Sequence, residues 1–457
     1  MGRDRVEIMK KLRATDSQYE ISGAQAGVRV EGMPHWSERQ LSRTFVDEYK
    51  RSPGMDKPYL LLTLLLLLIG IVMVFSASFA SAYYTSGEPL KIFQRQAIFA
   101  IVGVALMIVV SYFRVRTISR WSAHLLLISI AMLVLVLIVG IRVNGARRWL
   151  GIPGENTSLR FQPSEIAKLA IVLAFAQFAC KFDRAKMKTF KYGVVPFASI
   201  TAVIIFLLIR EPHLSAAIIV AVLAVIMMFA GGTKLRWFLI AALAAAALIG
   251  IMVFPNMISS ARESGVTGVV EQTANPETDF SGYGYAGRRI NAWLNPDADP
   301  LGDGFQIRQS LFAVGSGGWL GQGLGQSRQK YLYLPEEHND YIFAIVCEEL
   351  GFIGAMLILT LFALLIVRGY WLALHARNRY SALIVIGITS LLTIQVFLNV
   401  AVVLNMVPAT GISLPFFSYG GTALLIQLVQ MGIVLAVSRE IPLTKKKDDS
   451  EEMEYIA

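Results

Sequence analysis

The stretch Gly304–Gly354, GFQIRQSLFAVGSGGWLGQGLGQSRQKYLYLPEEHNDYIFAIVCEELGFIG, changes character within a few residues. It begins glycine-rich, polar and irregular. It passes Leu334-Pro335 and five polar residues, Glu336 to Asp340, and turns at once into an apolar run. That run continues to about residue 367, long enough to cross the roughly 30 Å hydrocarbon core of a bilayer, which takes about 20 residues. A membrane helix with polar chemistry at its mouth sets the reading of everything else.

Working outward, further apolar runs fall near 58–80, 92–113, 121–140, 164–180, 192–209, 214–231, 235–254, 381–404 and 420–438. With 341–367 they predict an all-α integral membrane protein of ten transmembrane helices. Composition agrees: 55% of the 457 residues are hydrophobic and 16% charged, against about 25% charged in an ordinary soluble domain. Ten spans place both termini on one side. With that side cytoplasmic, 28 of the 42 Lys and Arg residues lie there, as the positive-inside rule requires. The net charge of +10 is thereby a matter of topology, and no nucleic-acid partner is expected. The expected domains are a cytoplasmic tail at 1–57, a ten-span unit at 58–438 and a cytoplasmic tail at 439–457. A large outer loop, 255–340, separates spans 7 and 8. No apolar signal segment precedes the first span, which is expected to serve as an uncleaved anchor. The two cysteines, Cys180 and Cys347, sit in apolar runs and exclude a disulfide scaffold.

Ionisable residues at membrane depth are functional candidates, and the outer face collects several. NGARRWL (Asn144–Leu150) puts Arg147 and Arg148 in an outer loop, with Trp149 beside them. Guanidinium forks suit phosphate oxygens, although an interfacial anchor on lipid headgroups is an equal reading. RFQPSEIAK (Arg160–Lys168) starts a helix at Pro163 and puts Glu165 and Lys168 on one face, as an internal ion pair or as a cation for an anionic headgroup. Arg210-Glu211-Pro212-His213 follows, and His213 is given no catalytic role. The glycine series from Gly315 to Gly325 matches no nucleotide-binding fingerprint. It suits a re-entrant turn or an anion nest, with Arg328 and Lys330 directly after it. Asp340 is either an N-cap or a general base at the membrane mouth, the latter requiring burial to raise its pKa. His338 and its acidic neighbours lack the spacing of a metal site. Glu348 lies about 80° round an ideal helix from Asp340, and Glu349 nearly opposite, so at most one faces that side. Pro408–Gly421, PATGISLPFFSYGG, is irregular backbone that must line a cavity or be buried in protein.

Assembled, these pieces resemble the SEDS family of FtsW, RodA and SpoVE. The carriers are NGARRWL, RFQPSEIAKLA, the long stretch from Gly302 to Gly354 and PATGISLPFFSYGG, in family order over residues 58–438. In wording they are closer to FtsW or SpoVE than to RodA. The resemblance implies a ten-span peptidoglycan glycosyltransferase that polymerises lipid II, releases undecaprenyl diphosphate and works with a class B penicillin-binding protein. It maps the essential acid of the family's H-x-D-[FY]-I-F-A motif onto Asp340, and substrate contacts onto Arg148, Trp149 and Lys168. Arg328 and Lys330 are further substrate-binding candidates. Glu165, His338, Glu348, Glu349 and Ser418 are expected in supporting places. The sequence departs from the family at His213 and Ser215, where an acid and a glycine are usual. No cofactor is obligatory on this reading; a divalent cation such as Mg2+ or Mn2+ is the one candidate assistant. Expected partners are lipid II, the penicillin-binding protein, other divisome proteins and membrane lipids, in the bacterial cytoplasmic membrane at the division septum. A lipid II flippase, or an elongation- or sporulation-specific polymerase, is the alternative.

Overall fold

The computed structural model describes residues 54–143, 146–151, 160–182, 184–211, 213–240, 284–296 and 302–441. The tail 1–53, much of the seventh expected span and the start of the outer loop lie outside the described residues. The described residues belong to one compact unit.

The helices are α1 (Lys57–Ser86), α2 (Lys91–Ser111), α3 (Val115–Val139), α4 (Pro163–Lys181), α5 (Arg184–Met187), α6 (Phe190–Gly193), α7 (Val195–Arg210), α8 (Leu214–Ala230), α9 (Gly284–Leu294), α10 (Asp303–Ser316), α11 (Ile342–Leu374), α12 (Arg379–Val403) and α13 (Gly421–Ser438). Among the described residues eight helical stretches are long and apolar enough to cross a membrane, counting α6 and α7 together. α8, at 17 residues, is a ninth, shorter apolar helix. Of the expected span 235–254, residues 235–240 are helical and the rest lies outside the described residues.

α4 is apolar on all sides because it is surrounded by protein: Ala167, Ala170, Ile171, Val172, Phe175 and Ala176 are fully buried. α12 and α13 flank it, while α2, α3 and α11 turn apolar side chains outward, as lipid-facing helices do. Small residues permit the closest approaches. A Cβ on Gly432 of α13 would lie 2.6 Å from the Met107 carbonyl of α2, and one on Gly70 of α1 would lie 2.3 Å from the Phe416 carbonyl.

α1 and α11 are tied twice. At one end Arg368 makes two hydrogen bonds to Asp56, 2.6 and 3.2 Å long, and Asp56 also caps α1 by accepting from the Tyr59 amide. At the other end Ser76 donates to the Glu349 carboxylate at 2.7 Å. The separations, Asp56 to Ser76 and Glu349 to Arg368, each correspond to about 30 Å of helical rise. That matches the hydrocarbon thickness, so the two ties stand about one hydrocarbon thickness apart.

α11 does not cross as one rod. Gly351 has φ +67° and ψ −172° and breaks it two residues after Glu349. The break frees backbone groups, which apolar surroundings would penalise. Residues 317–323 satisfy them: Gln322 and Gly323 amides donate to the Glu348 and Glu349 carbonyls at 2.9 and 3.0 Å, and Phe352 and Ile353 amides donate to Gly318 and Trp319 at 2.9 and 3.2 Å. The contact is backbone on backbone, because a Cβ on Gly321 (φ +81°) would lie 2.2 Å from the Glu349 carbonyl. Gly321→Ala is therefore expected to lower the thermal stability of the purified protein by about 2 kcal/mol or more. Gly325→Ala, with φ +81° but open space around it, meets the backbone strain alone and should cost about 1–2 kcal/mol in the same melting experiment.

A small sheet follows α3. β1 (Ile141–Val143) pairs antiparallel with β2 (Ala146–Gly151), which pairs with β3 (Arg160–Phe161). Asn-Gly between β-favouring residues is a hairpin signal, and here it outweighs the short-loop reading.

Candidate active site

Asp340 sits two residues before α11, but it does not cap that helix. The N-cap is Tyr341 and no side chain caps the amides, which removes the N-cap reading of the acid. Its carbonyl accepts a 2.7 Å hydrogen bond from Asn399 of α12, whose same amide nitrogen reaches the Ile412 carbonyl at 2.7 Å. This fixes the 338–340 segment against the irregular 408–420 stretch. Gly411 (φ +70°) completes the fit, since a Cβ there would stand 3.3 Å from the Asp340 carboxylate. The Tyr419 amide donates to the His338 carbonyl at 2.8 Å, and the two rings lie 5.8 Å apart.

The Asp340 side chain is half-buried. Burial, with the Glu336 carboxylate nearby, pushes its pKa up to about 6, while its own amide, Arg289 and His338 pull the other way. Glu336 is held by Asn339 and has φ +58°, a left-handed conformation uncommon for a residue with a side chain. Arg289 was not singled out from sequence. It comes from α9 in the outer loop and donates to the Ala409 carbonyl at 3.0 Å. Nothing local in GRRINAWL points to it; only the fold brings it to Asp340.

A second polar group lies beyond the 413–420 segment. Glu165 and Ser418 line one small pocket with Gln395, Tyr419 and Gln427. Lys168, 3% exposed, pairs with Glu165 at 2.8 Å. Its charge and that of Arg148 act on His213, which burial holds down at about 3, so the imidazole is neutral. Burial raises Glu211 to about 8 despite Arg148. The Gln162 amide nitrogen lies 3.4 Å from His213 Nε2. Arg148 and Trp149 are half-buried on β2, and Arg147 reaches back to the Leu137 carbonyl at 3.3 Å. The arrangement is an acid, Asp340, on one group of elements, and two cations, Arg148 on β2 and Lys168 on α4, on another.

The family model for the FtsW/RodA/SpoVE cell cycle proteins matches residues 57–442. The chain belongs to that family. It is 39% identical to stage V sporulation protein E of Bacillus subtilis over 392 residues, covering 85% of this chain and 98% of the relative. It is 36% identical to a protein named "Probable peptidoglycan glycosyltransferase FtsW" of Trichlorobacter lovleyi, covering 86% and 96%. Among solved structures it resembles a chain from work described as "Structural coordination of polymerization and crosslinking by a peptidoglycan synthase complex", with a TM-score of 0.66, 28% identity, and coverage of 85% and 99%. The crystal structure of the Thermus thermophilus rod shape determining protein RodA follows at a TM-score of 0.58 and 25% identity, covering 85% and 98%.

Within this FtsW/RodA/SpoVE chain, Lys330 requires a correction. It does not offer its ammonium to a substrate. The side chain is 3% exposed, and Nζ is spent on Glu349 at 2.9 Å and the Gly325 carbonyl at 2.6 Å. Glu348 and Glu349 likewise serve the 317–330 loop. Glu348 accepts from the Ser327 hydroxyl and the Arg328 amide, and Glu349 from Ser76 and Lys330. α11 begins at Ile342, after Asp340, and the loop supplies partners to both acids. Arg328 keeps an exposed side chain. His338 pairs with Glu337 at 3.2 Å. No group of three His, Cys, Asp or Glu residues able to hold a metal occurs among the described residues.

Proposed function

We propose that this multi-pass membrane protein is a peptidoglycan glycosyltransferase that polymerises lipid II at the outer face of the bacterial cytoplasmic membrane. The observation that carries the reading is Asp340: an acid that caps nothing, half-buried at a membrane mouth, with a pKa near 6. Such a group is ionised at neutral pH yet basic enough to accept a proton. Relatives bearing the glycosyltransferase name support the reaction class.

In this mechanism Asp340 takes the proton of the acceptor sugar's 4-hydroxyl. The oxygen attacks the anomeric carbon of the donor, the glycosidic bond forms, and undecaprenyl diphosphate leaves with the electron pair of the broken C–O bond. Arg148 stabilises charge growing on the diphosphate, with Trp149 beside it and Arg328 able to reach in from solvent, and Lys168 joins them when the diphosphate displaces its Glu165 partner. Glu165, His338 and Ser418 hold these groups in place. A divalent cation such as Mg2+ or Mn2+ would, if recruited, supply further positive charge against the leaving diphosphate.

The role assigned is septal wall synthesis during division, with a class B penicillin-binding protein and other divisome proteins as partners. The match to a chain of a peptidoglycan synthase complex supports such a partner. The deciding experiment incubates the purified protein with lipid II in detergent, with and without a class B penicillin-binding protein, and analyses the products. Polymeric glycan is the expected result. Intact lipid II under all conditions would favour transport, which detergent cannot score, and would reject the polymerase.

A further inference from the structure

A cavity of about 540 Å³ lies between α1, the part of α11 beyond Gly351, and the 317–330 loop. It shares no lining residue with Asp340's surroundings or with the Glu165 pocket. Its walls include Ile69, Ile353, Leu357 and Ile358, and its roof is Leu320 and Leu324. Glu349 is the one ionisable lining residue.

The two ties between α1 and α11 place it in depth. With the two ties at the two hydrocarbon boundaries, Glu349 and Ser76 sit at the outer one. Ile69 and Ile358 lie about 10 and 14 Å further in by helical rise, still short of the midplane of a roughly 30 Å core. The cavity thus occupies the outer leaflet. Its rim, Leu320, Ile353 and Leu357, is 80%, 57% and 61% exposed and continues the lipid-facing surface. Ile358, at 2%, is its floor.

We propose that this cavity is a binding site for one acyl chain of an outer-leaflet phospholipid. The space opens to lipid between Leu320, Ile353 and Leu357, with Leu324 of the loop lining its upper end, and suits a single chain better than a partner's helix about 10 Å across. Charge argues against a diphosphate-headed lipid. The carboxylate at the upper end is already matched by Lys330, whose ammonium is also committed to the Gly325 carbonyl. No cation in the lining is left for a diphosphate. A seated chain fills the volume beneath Leu320 and Leu324 and so supports the loop that leads to Asp340. The site requires only that the chain span a membrane, so it stands apart from the glycosyltransferase reading.

The test uses the full-length protein in nanodiscs of phosphatidylethanolamine and phosphatidylglycerol, doped with a phospholipid bearing a diazirine midway along one chain. After irradiation, labelled residues are mapped by mass spectrometry. Label on the buried Ile358 and on Ile69, beside the exposed rim, is expected. Label confined to Leu320, Ile353 and Leu357 would mean bulk contact alone and overturn the site. Ile69→Trp, which fills the cavity, should abolish label at Ile358 and keep it at Leu320; persistence at Ile358 would overturn the proposal. Excess undecaprenyl diphosphate should leave the Ile358 label unchanged. Its loss would assign the cavity to a prenyl chain and overturn the phospholipid assignment. The wild-type map decides the matter even where the variant fails to fold.

Discussion

Asp340→Asn is expected to lower the rate of lipid II polymerisation by about 10²–10⁴-fold, the usual cost of losing a general base, with the protein still folded. The substitution keeps the shape of the side chain and the backbone bond to Asn399, and removes the group that accepts the proton. In the unaltered protein the rate should fall about tenfold per pH unit below a pH near 6, where burial and Glu336 place the carboxyl. The same shift sets the sign of a stability effect. A carboxyl whose pKa is higher in the folded protein than in the unfolded chain favours folding while protonated, and that advantage is lost as pH rises from about 4 through about 6. The Asn variant escapes the loss. It should be more stable than the unaltered protein by about 1–3 kcal/mol above pH 6 and no more stable below pH 4, as read by thermal unfolding in detergent. Wild-type polymerisation by the variant would remove Asp340 from the chemistry. A variant that is less stable at pH 8 would show that the carboxylate is instead held by partners.

The parts of this architecture that depend on local composition were legible. Apolar runs of about 20 residues announce membrane helices because lipid offers no partner for the backbone, and α1, α2, α3, α12 and α13 lie where their runs predicted. Asp340 was legible as a candidate because a cluster of polar residues abuts an apolar run. What remained hidden depends on distant partners. Gly351 stands in an apolar run and reads as a tolerated helix residue; that it breaks α11 follows from residues 317–323 arriving to pair the freed groups. Arg289 comes to the 408–412 stretch from a helix more than a hundred residues away. Lys330 reads as a free cation after a glycine series, and its role is set by Ser76 and Glu349 together. The β1–β2 hairpin is a different case, since its Asn-Gly dipeptide was in plain view and the expectation of short loops between spans overrode it.

The Lys330–Glu349 pair carries the second large expectation. Both side chains are buried, at 3% and 0% exposure, where the outer loop meets the membrane boundary. Removing one partner strands the other charge in an apolar setting, at a cost of about 3–5 kcal/mol. Lys330→Met and Glu349→Leu should each lower thermal stability by that order. Glu349→Leu also leaves the Ser76 hydroxyl without its acceptor, so it is expected to be the worse of the two. The double variant removes both charges together and should recover most of the loss, because replacing a buried ion pair by apolar groups is often near neutral. A thermodynamic cycle of the four proteins then reports a coupling of about 2 kcal/mol or more, given direct contact. Activity separates two roles. If the pair only positions the loop, the double variant regains glycan synthesis along with stability. If Lys330 instead served a substrate anion, stability would return and polymerisation would not. The geometry, with Nζ committed to Glu349 and the Gly325 carbonyl, predicts the first outcome.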